Sequence, residues 1–119
     1  MKPLGWVGSA KGDLLTFPAG AVREIGYGLY VAQLGGKHHA AKPLQGFGGA
    51  GVVEIVEDFA GGSYRAVYTV RFADVIYVLH AFQKKSRRGI ATPRRDIEMI
   101  RMRLRQAEEE HLRWRSGRR

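Results

Sequence analysis

Between Val52 and Gln83 the chain carries three runs of strand-forming residues whose connections leave room for little except hairpins. The runs Val52–Glu57, Tyr64–Arg71 and Val75–Gln83 are rich in Val, Ile, Tyr and Phe, side chains that fit a pleated, half-buried surface. Residues 58–63 join the first pair and residues 72–74 the second. A parallel crossover needs about a dozen residues or more, so the three runs are expected to form an antiparallel meander. Side chains alternate along a strand. In the middle run Tyr64, Ala66, Tyr68 and Val70 therefore point one way, and Arg65, Val67, Thr69 and Arg71 the other. One face is apolar; its reverse presents two arginines.

Two flanking segments have the helical periodicity that could cover such a sheet. From Pro18 to Leu34, Val22, Ile25, Leu29 and Ala32 recur at three- and four-residue steps, with Pro18 suited to a first turn and Gly35–Gly36 to a stop. Gly20, Gly26 and Gly28 lie inside it and each costs about 1 kcal/mol relative to alanine, so close packing of helix on sheet is the expected compensation. The second helix opens at Thr92–Pro93, with Asp96 in its first turn. Its inward stripe is Ile97, Ile100, Leu104, Ala107, His111 and Trp114, and Arg and Glu crowd its other faces. Pro3–Val7 is short, apolar and able to add an edge strand, whereas Gly36–Gly51 reads as a surface loop. The expected architecture is an α+β domain spanning residues 1–119, with a small, mostly antiparallel sheet, an N-terminal helical segment, a long C-terminal helix and a frayed tail over 116–119.

Charge narrows the partners. Residues 1–83 hold seven Lys/Arg against six Asp/Glu (+1), while residues 84–119 hold thirteen against five (+8). Clustered cations displace counterions from a phosphate backbone, so nucleic acid is the leading expected partner and an acidic protein the second. With no cysteine, disulfides, thiolate metal sites and cysteine nucleophiles are excluded. His38–His39 lacks the carboxylate or cysteine company of a metal site, so neither metal nor cofactor is expected. No apolar run approaches the roughly 20 residues of a membrane span, and the first residues lack a secretory pattern. A cytoplasmic protein is the expectation.

The run Tyr64–Val70, then Val75–Ser86, then Thr92–Pro93, preceded by Lys42–Pro43–Leu44 ahead of a Gly-rich turn, resembles the phage-related HigB-like toxins of the RelE/ParE superfamily. The resemblance covers residues 42–105 and, through the order of elements, most of the chain. It implies the toxin of a type II toxin-antitoxin system, neutralised by a small antitoxin, commonly a helix-turn-helix DNA-binding protein. In RelE-like members the activity is ribosome-dependent mRNA cleavage; in ParE-like members the same fold poisons gyrase. A phage-derived binding or regulatory protein is a third class open to this sequence.

Metal-free RNA cleavage needs a base for the ribose 2′-OH, cations for the phosphorane-like transition state and an acid for the departing 5′ oxygen. Arg65 matches the family's phosphate-contacting strand arginine, and its planar fork suits bidentate binding. Lys84 and Lys85, at the end of the last strand, are candidates to bind phosphate or exchange a proton. His80, of the same strand parity as Lys84, is the candidate base by residue type. Lys42, Arg71, Phe82, Arg87, Arg88, Arg94 and Arg95 are candidate RNA contacts, Phe82 by stacking and the rest through phosphates. Tyr64 and Tyr68 could also stack, but their apolar face assigns them to the core. Some family members carry acid/base residues near the chain end, where this sequence has a helix with no convincing replacement.

Overall fold

The computed structural model describes residues 1–49, 51–84 and 92–117. In chain order it contains β1 (Leu4–Trp6), α1 (Ala10–Leu15), α2 (Ala19–Gln33), β2 (Ala41–Pro43), β3 (Val52–Phe59), β4 (Gly62–Thr69), β5 (Ile76–Lys84) and α3 (Arg94–Ser116). The strands form one sheet in the order β1-β5-β4-β3-β2. Only the β1–β5 pairing is parallel. The α+β architecture, the meander and the N-terminal edge strand are as the sequence implies.

Three local features depart from expectation. The β3–β4 connection is a two-residue hairpin, because Ala60 (φ 49°) and Gly61 (φ 85°) both adopt the left-handed conformation that a type I′ turn requires. The strands consequently reach Phe59 and resume at Gly62. The Gly-rich segment contains β2, a three-residue edge strand antiparallel to β3 and ending at Pro43, whose missing N–H suits an edge position. Finally, α1 is a short extra helix before α2.

Each sheet face is covered. On one, Ala10, Leu14, Ile25 and Leu29 from α1 and α2 pack on Ile55, Ala66, Tyr68, Ile76 and Val78. On the other, Ile100 and Ala107 of α3 meet Val52, Val67, Tyr77 and Leu79. The glycines of α2 show why this contact is close. A Cβ on Gly28 would lie 2.8 Å from Cδ1 of buried Ile55, and one on Gly20 would lie 2.3 Å from the Phe59 ring, whereas Gly26 faces open space. The expected compensation therefore applies to two of the three.

The α3 stripe buries Ile100, Ala107 and His111 and half-buries Ile97, Leu104 and Trp114. His111 stacks against Trp114 and faces Tyr77, whose hydroxyl is 3.1 Å from His111 Nδ1. Arg103 is a buried member that the apolar pattern did not reveal.

A bulge in β5 sets which side chains share a face. Val67 pairs with His80 and Tyr68 with Val78, leaving Leu79 as an extra residue on the β5 side. In consequence Leu79 and His80 both lie on the α3 side, followed at alternate positions by Phe82 and Lys84, which stand opposite Arg65 and Ser63.

Candidate functional site

The α3 side of the sheet is apolar where the body of the helix covers it and polar towards the N-terminal end of α3. At that end the register brings together groups from four elements. Glu54 of β3 stands opposite Lys42 of β2 on one side and Val67 of β4 on the other. Arg65 of β4 stands between Val56 and Phe82. Lys84, opposite Ser63, is the diagonal neighbour of Arg65, a separation of about 7–8 Å that long side chains bridge.

Glu54 is the centre of this cluster. Arg65 donates from Nη1 to Glu54 Oε1 at 3.1 Å, and Thr92 donates from its hydroxyl to Oε2 at 3.1 Å. The Glu54 and Arg65 side chains are only 5% and 9% exposed. Two buried charges survive together because each satisfies the other; either alone would carry a desolvation penalty of several kcal/mol. Thr92, expected to cap α3, spends its hydroxyl on Glu54, and the N-cap position falls instead on Pro93, which has no side-chain cap to offer.

Arg65 Nε is buried and has no hydrogen-bond partner among the described residues. An orphaned buried donor costs about 1–3 kcal/mol and calls for an explanation. Lys84, 93% buried by residue surface, has its ammonium pushed below the ordinary lysine range, first by burial and then by the Arg65 guanidinium, with Glu54 acting the other way. Beside the cluster opens a groove of about 460 Å³ lined by Lys42, Leu44, Glu54, Thr92 and Ile97. Glu54 belongs to both the groove and the cluster, and so joins the groove to the Arg65 guanidinium and, beyond it, to a lysine of reduced proton affinity.

The remaining sequence candidates disperse. Lys42 is exposed at the groove's rim, and Phe82 is half-buried beside Arg65, stacked on His80 at 4.9 Å between ring centres. The two ring nitrogens of His80 are engaged by α3, Nε2 at 2.7 Å from Asp96 Oδ1 and Nδ1 at 3.2 Å from Arg103 Nη1. Arg71 shares the parity of Arg65 but lies past the opposite end of β4, where it is ion-paired with Glu108 of α3. Arg94 and Arg95 are exposed on the first turn of α3, Arg94 paired with Glu98. Lys85, Arg87 and Arg88 lie outside the described residues. Tyr68 is buried in the core, and Tyr64 packs its ring on Phe17 at 5.0 Å.

His38 is buried in the loop after α2, accepting from Ala40 N–H at Nδ1 (3.0 Å) and meeting Glu24 at Nε2 (3.3 Å). No group of three or more metal-ligating side chains occurs among the described residues, and none of their helices is long and apolar enough to cross a membrane.

Sequence reasoning missed Glu54 and Arg103. A glutamate in the apolar run Val52–Val56, of a parity that buries it, was the available signal for Glu54. A basic residue between Ile100 and Ala107 on the inward stripe was the signal for Arg103.

An α+β domain with a mostly antiparallel sheet and, towards the N-terminal end of a covering helix, a groove beside a buried Glu54–Arg65 ion pair defines the class. The model of the phage-derived protein Gp49-like family matches residues 12–105, most of the chain, and the protein belongs to that family, which is RelE/toxin-like. No curated protein and no solved structure matches the chain.

Proposed function

We propose that this protein is the toxin of a type II toxin-antitoxin pair of the HigB-like kind, a metal-independent endoribonuclease that cuts mRNA on the translating ribosome and is neutralised by a cognate antitoxin. The observation that carries the reading is the unpartnered Arg65 Nε beside Lys84 and Glu54. A phosphate entering there gives the orphaned donor its acceptor. The Arg65 guanidinium then stabilises charge on the pentavalent phosphorus. Glu54 is the only carboxylate lining the groove among the described residues and takes the 2′-OH proton. The 2′ oxygen attacks phosphorus, the bond to the 5′ oxygen breaks, and Lys84 protonates the departing oxygen. The products are a 2′,3′-cyclic phosphate and a 5′-hydroxyl. Lys42, Phe82, Arg94 and Arg95 extend the RNA-contacting surface.

The test is induction of the chain alone in bacteria while growth, mRNA 5′ ends and gyrase-linked DNA breaks are followed. The expected result is arrest with new 5′-hydroxyl mRNA ends inside coding regions, relieved by the cognate antitoxin and lost in Lys84→Met. Arrest with gyrase-linked breaks and intact mRNA would replace the nuclease with a gyrase poison. No arrest would leave a phage-derived binding protein.

A further inference from the structure

His80 is the residue whose type most invites a role in proton transfer, and its surroundings argue for a different one. Asp96 and Arg103, seven positions apart on one face of α3, grip opposite nitrogens of the same ring. Arginine has no acceptor, so Nη1 of Arg103 donates to Nδ1 of His80; Nε2 therefore carries the ring hydrogen and donates to Asp96. Arg103 also donates from Nη1 to the Leu79 carbonyl at 3.0 Å and from Nη2 to Ser9 Oγ at 3.0 Å. The extra residue of a bulge is left out of the strand ladder, which makes the Leu79 carbonyl available to a side chain. The network thus ties β5, α3 and the loop before α1 together, with its ring-binding members all buried or half-buried.

Asp96 lies one helical turn after Thr92. The two residues fasten the start of α3 to two different strands, Asp96 to β5 through His80 and Thr92 to β3 through Glu54. Among the described residues, the hydrogen bonds that fasten this turn to the sheet are those of Asp96 and Thr92, with Ile97 adding apolar packing, so releasing Asp96 leaves Thr92 less firmly held against Glu54 Oε2. We propose that His80 is a positioning residue: as the neutral Nε2–H tautomer clamped between Asp96 and Arg103, it seats the first turns of α3 and thereby sets the orientation of the Glu54 carboxylate in the groove. The role given to Glu54 rests on the reaction proposed above; the clamp itself does not.

The discriminating substitution is His80→Gln. A glutamine amide presents one donor and one acceptor with nearly the spacing of the two imidazole nitrogens, so it can serve Asp96 and Arg103 together, yet it cannot exchange a proton near neutrality. In the wild-type protein, long-range nitrogen–hydrogen NMR spectra of the imidazoles are expected to show His80 protonated at Nε2 alone at neutral pH. In His80→Ala, amide exchange over residues 98–103 of α3 is expected to accelerate about tenfold or more, and His80→Gln is expected to restore most of that protection. RNA cleavage by His80→Gln is expected to stay within a few fold of wild type.

A ring protonated at Nδ1, or α3 exchange as fast in His80→Gln as in His80→Ala, would overturn the clamp. Intact α3 protection in His80→Gln together with a loss of cleavage of 100-fold or more, the scale of a missing general base or acid, would place His80 in the chemistry instead. If the wild-type protein cleaves no RNA, the nuclease reading falls, while the tautomer and exchange measurements still decide the clamp.

Discussion

Glu54 and Arg65 meet in a buried ion pair, Nη1 to Oε1 at 3.1 Å, on adjacent strands whose register makes them diagonal rather than direct partners. The pair couples stability to the groove. Glu54→Ala leaves a buried guanidinium without its counterion and is expected to lower the unfolding free energy by about 3–5 kcal/mol, read from urea denaturation. The double replacement Glu54→Leu with Arg65→Met removes both charges and is expected to be less destabilised than either single variant. Additive losses would show that the two side chains are energetically independent.

Lys84 should display an opposition between stability and activity. Its proton affinity is lowered in the folded state, so between the folded value and the ordinary 10.5 the unfolded chain binds more protons. Stability contributed at this position therefore rises with pH across that window, and below it the charged ammonium is a standing cost. Lys84→Met is expected to raise the unfolding midpoint near neutrality, with the advantage shrinking as pH rises and gone above about 10.5. The same substitution should abolish toxicity. A loss of toxicity in a protein more stable than wild type cannot be ascribed to unfolding.

The glycines of α2 should separate in a simple alanine series. Gly26→Ala meets nothing and is expected to stabilise the protein by about 0.5–1 kcal/mol through helix propensity. Gly28→Ala drives a methyl into Ile55, which is fully buried and has nowhere to turn, so a loss of about 1–3 kcal/mol is expected. Thermal unfolding of the two variants checks the sign of each.

Ala60 is the one non-glycine residue with positive φ among those described. A side chain in this conformation costs about 1–2 kcal/mol, and asparagine tolerates it better than alanine. Ala60→Asn is expected to gain about 1 kcal/mol, measurable by denaturation, and leaves the groove's lining residues unchanged, since none of them belongs to the turn.

What was legible in the sequence was whatever depended on period. Ile25, Leu29 and Ala32 marked α2, the stripe from Ile97 to Trp114 marked α3, and alternation along Tyr64–Val70 put Arg65 and Tyr68 on opposite faces. What was not legible depended on register and on which stretch of sheet the helix covers. Parity gave Arg71 the same standing as Arg65, but only the path of α3 leaves one beside the groove and consigns the other to Glu108. Glu54 became recognisable as a site residue only when β3 was aligned with β4, which brings Arg65 within reach. The β2 strand was hidden because three residues ending in proline carry no period, and the hairpin because Ala–Gly is a weak type I′ signal beside Asn–Gly.

The insertion of Leu79 has a consequence for how such a protein can change. Removing one residue from an ordinary strand inverts every side chain beyond it. Here the removal of Leu79 would restore regular alternation and leave His80, Phe82 and Lys84 on the faces they already occupy. The sheet's pattern and the helix's mooring are thus written in separate letters. The moorings of α3 can be revised by mutation while the arrangement of strand side chains beneath it is inherited intact.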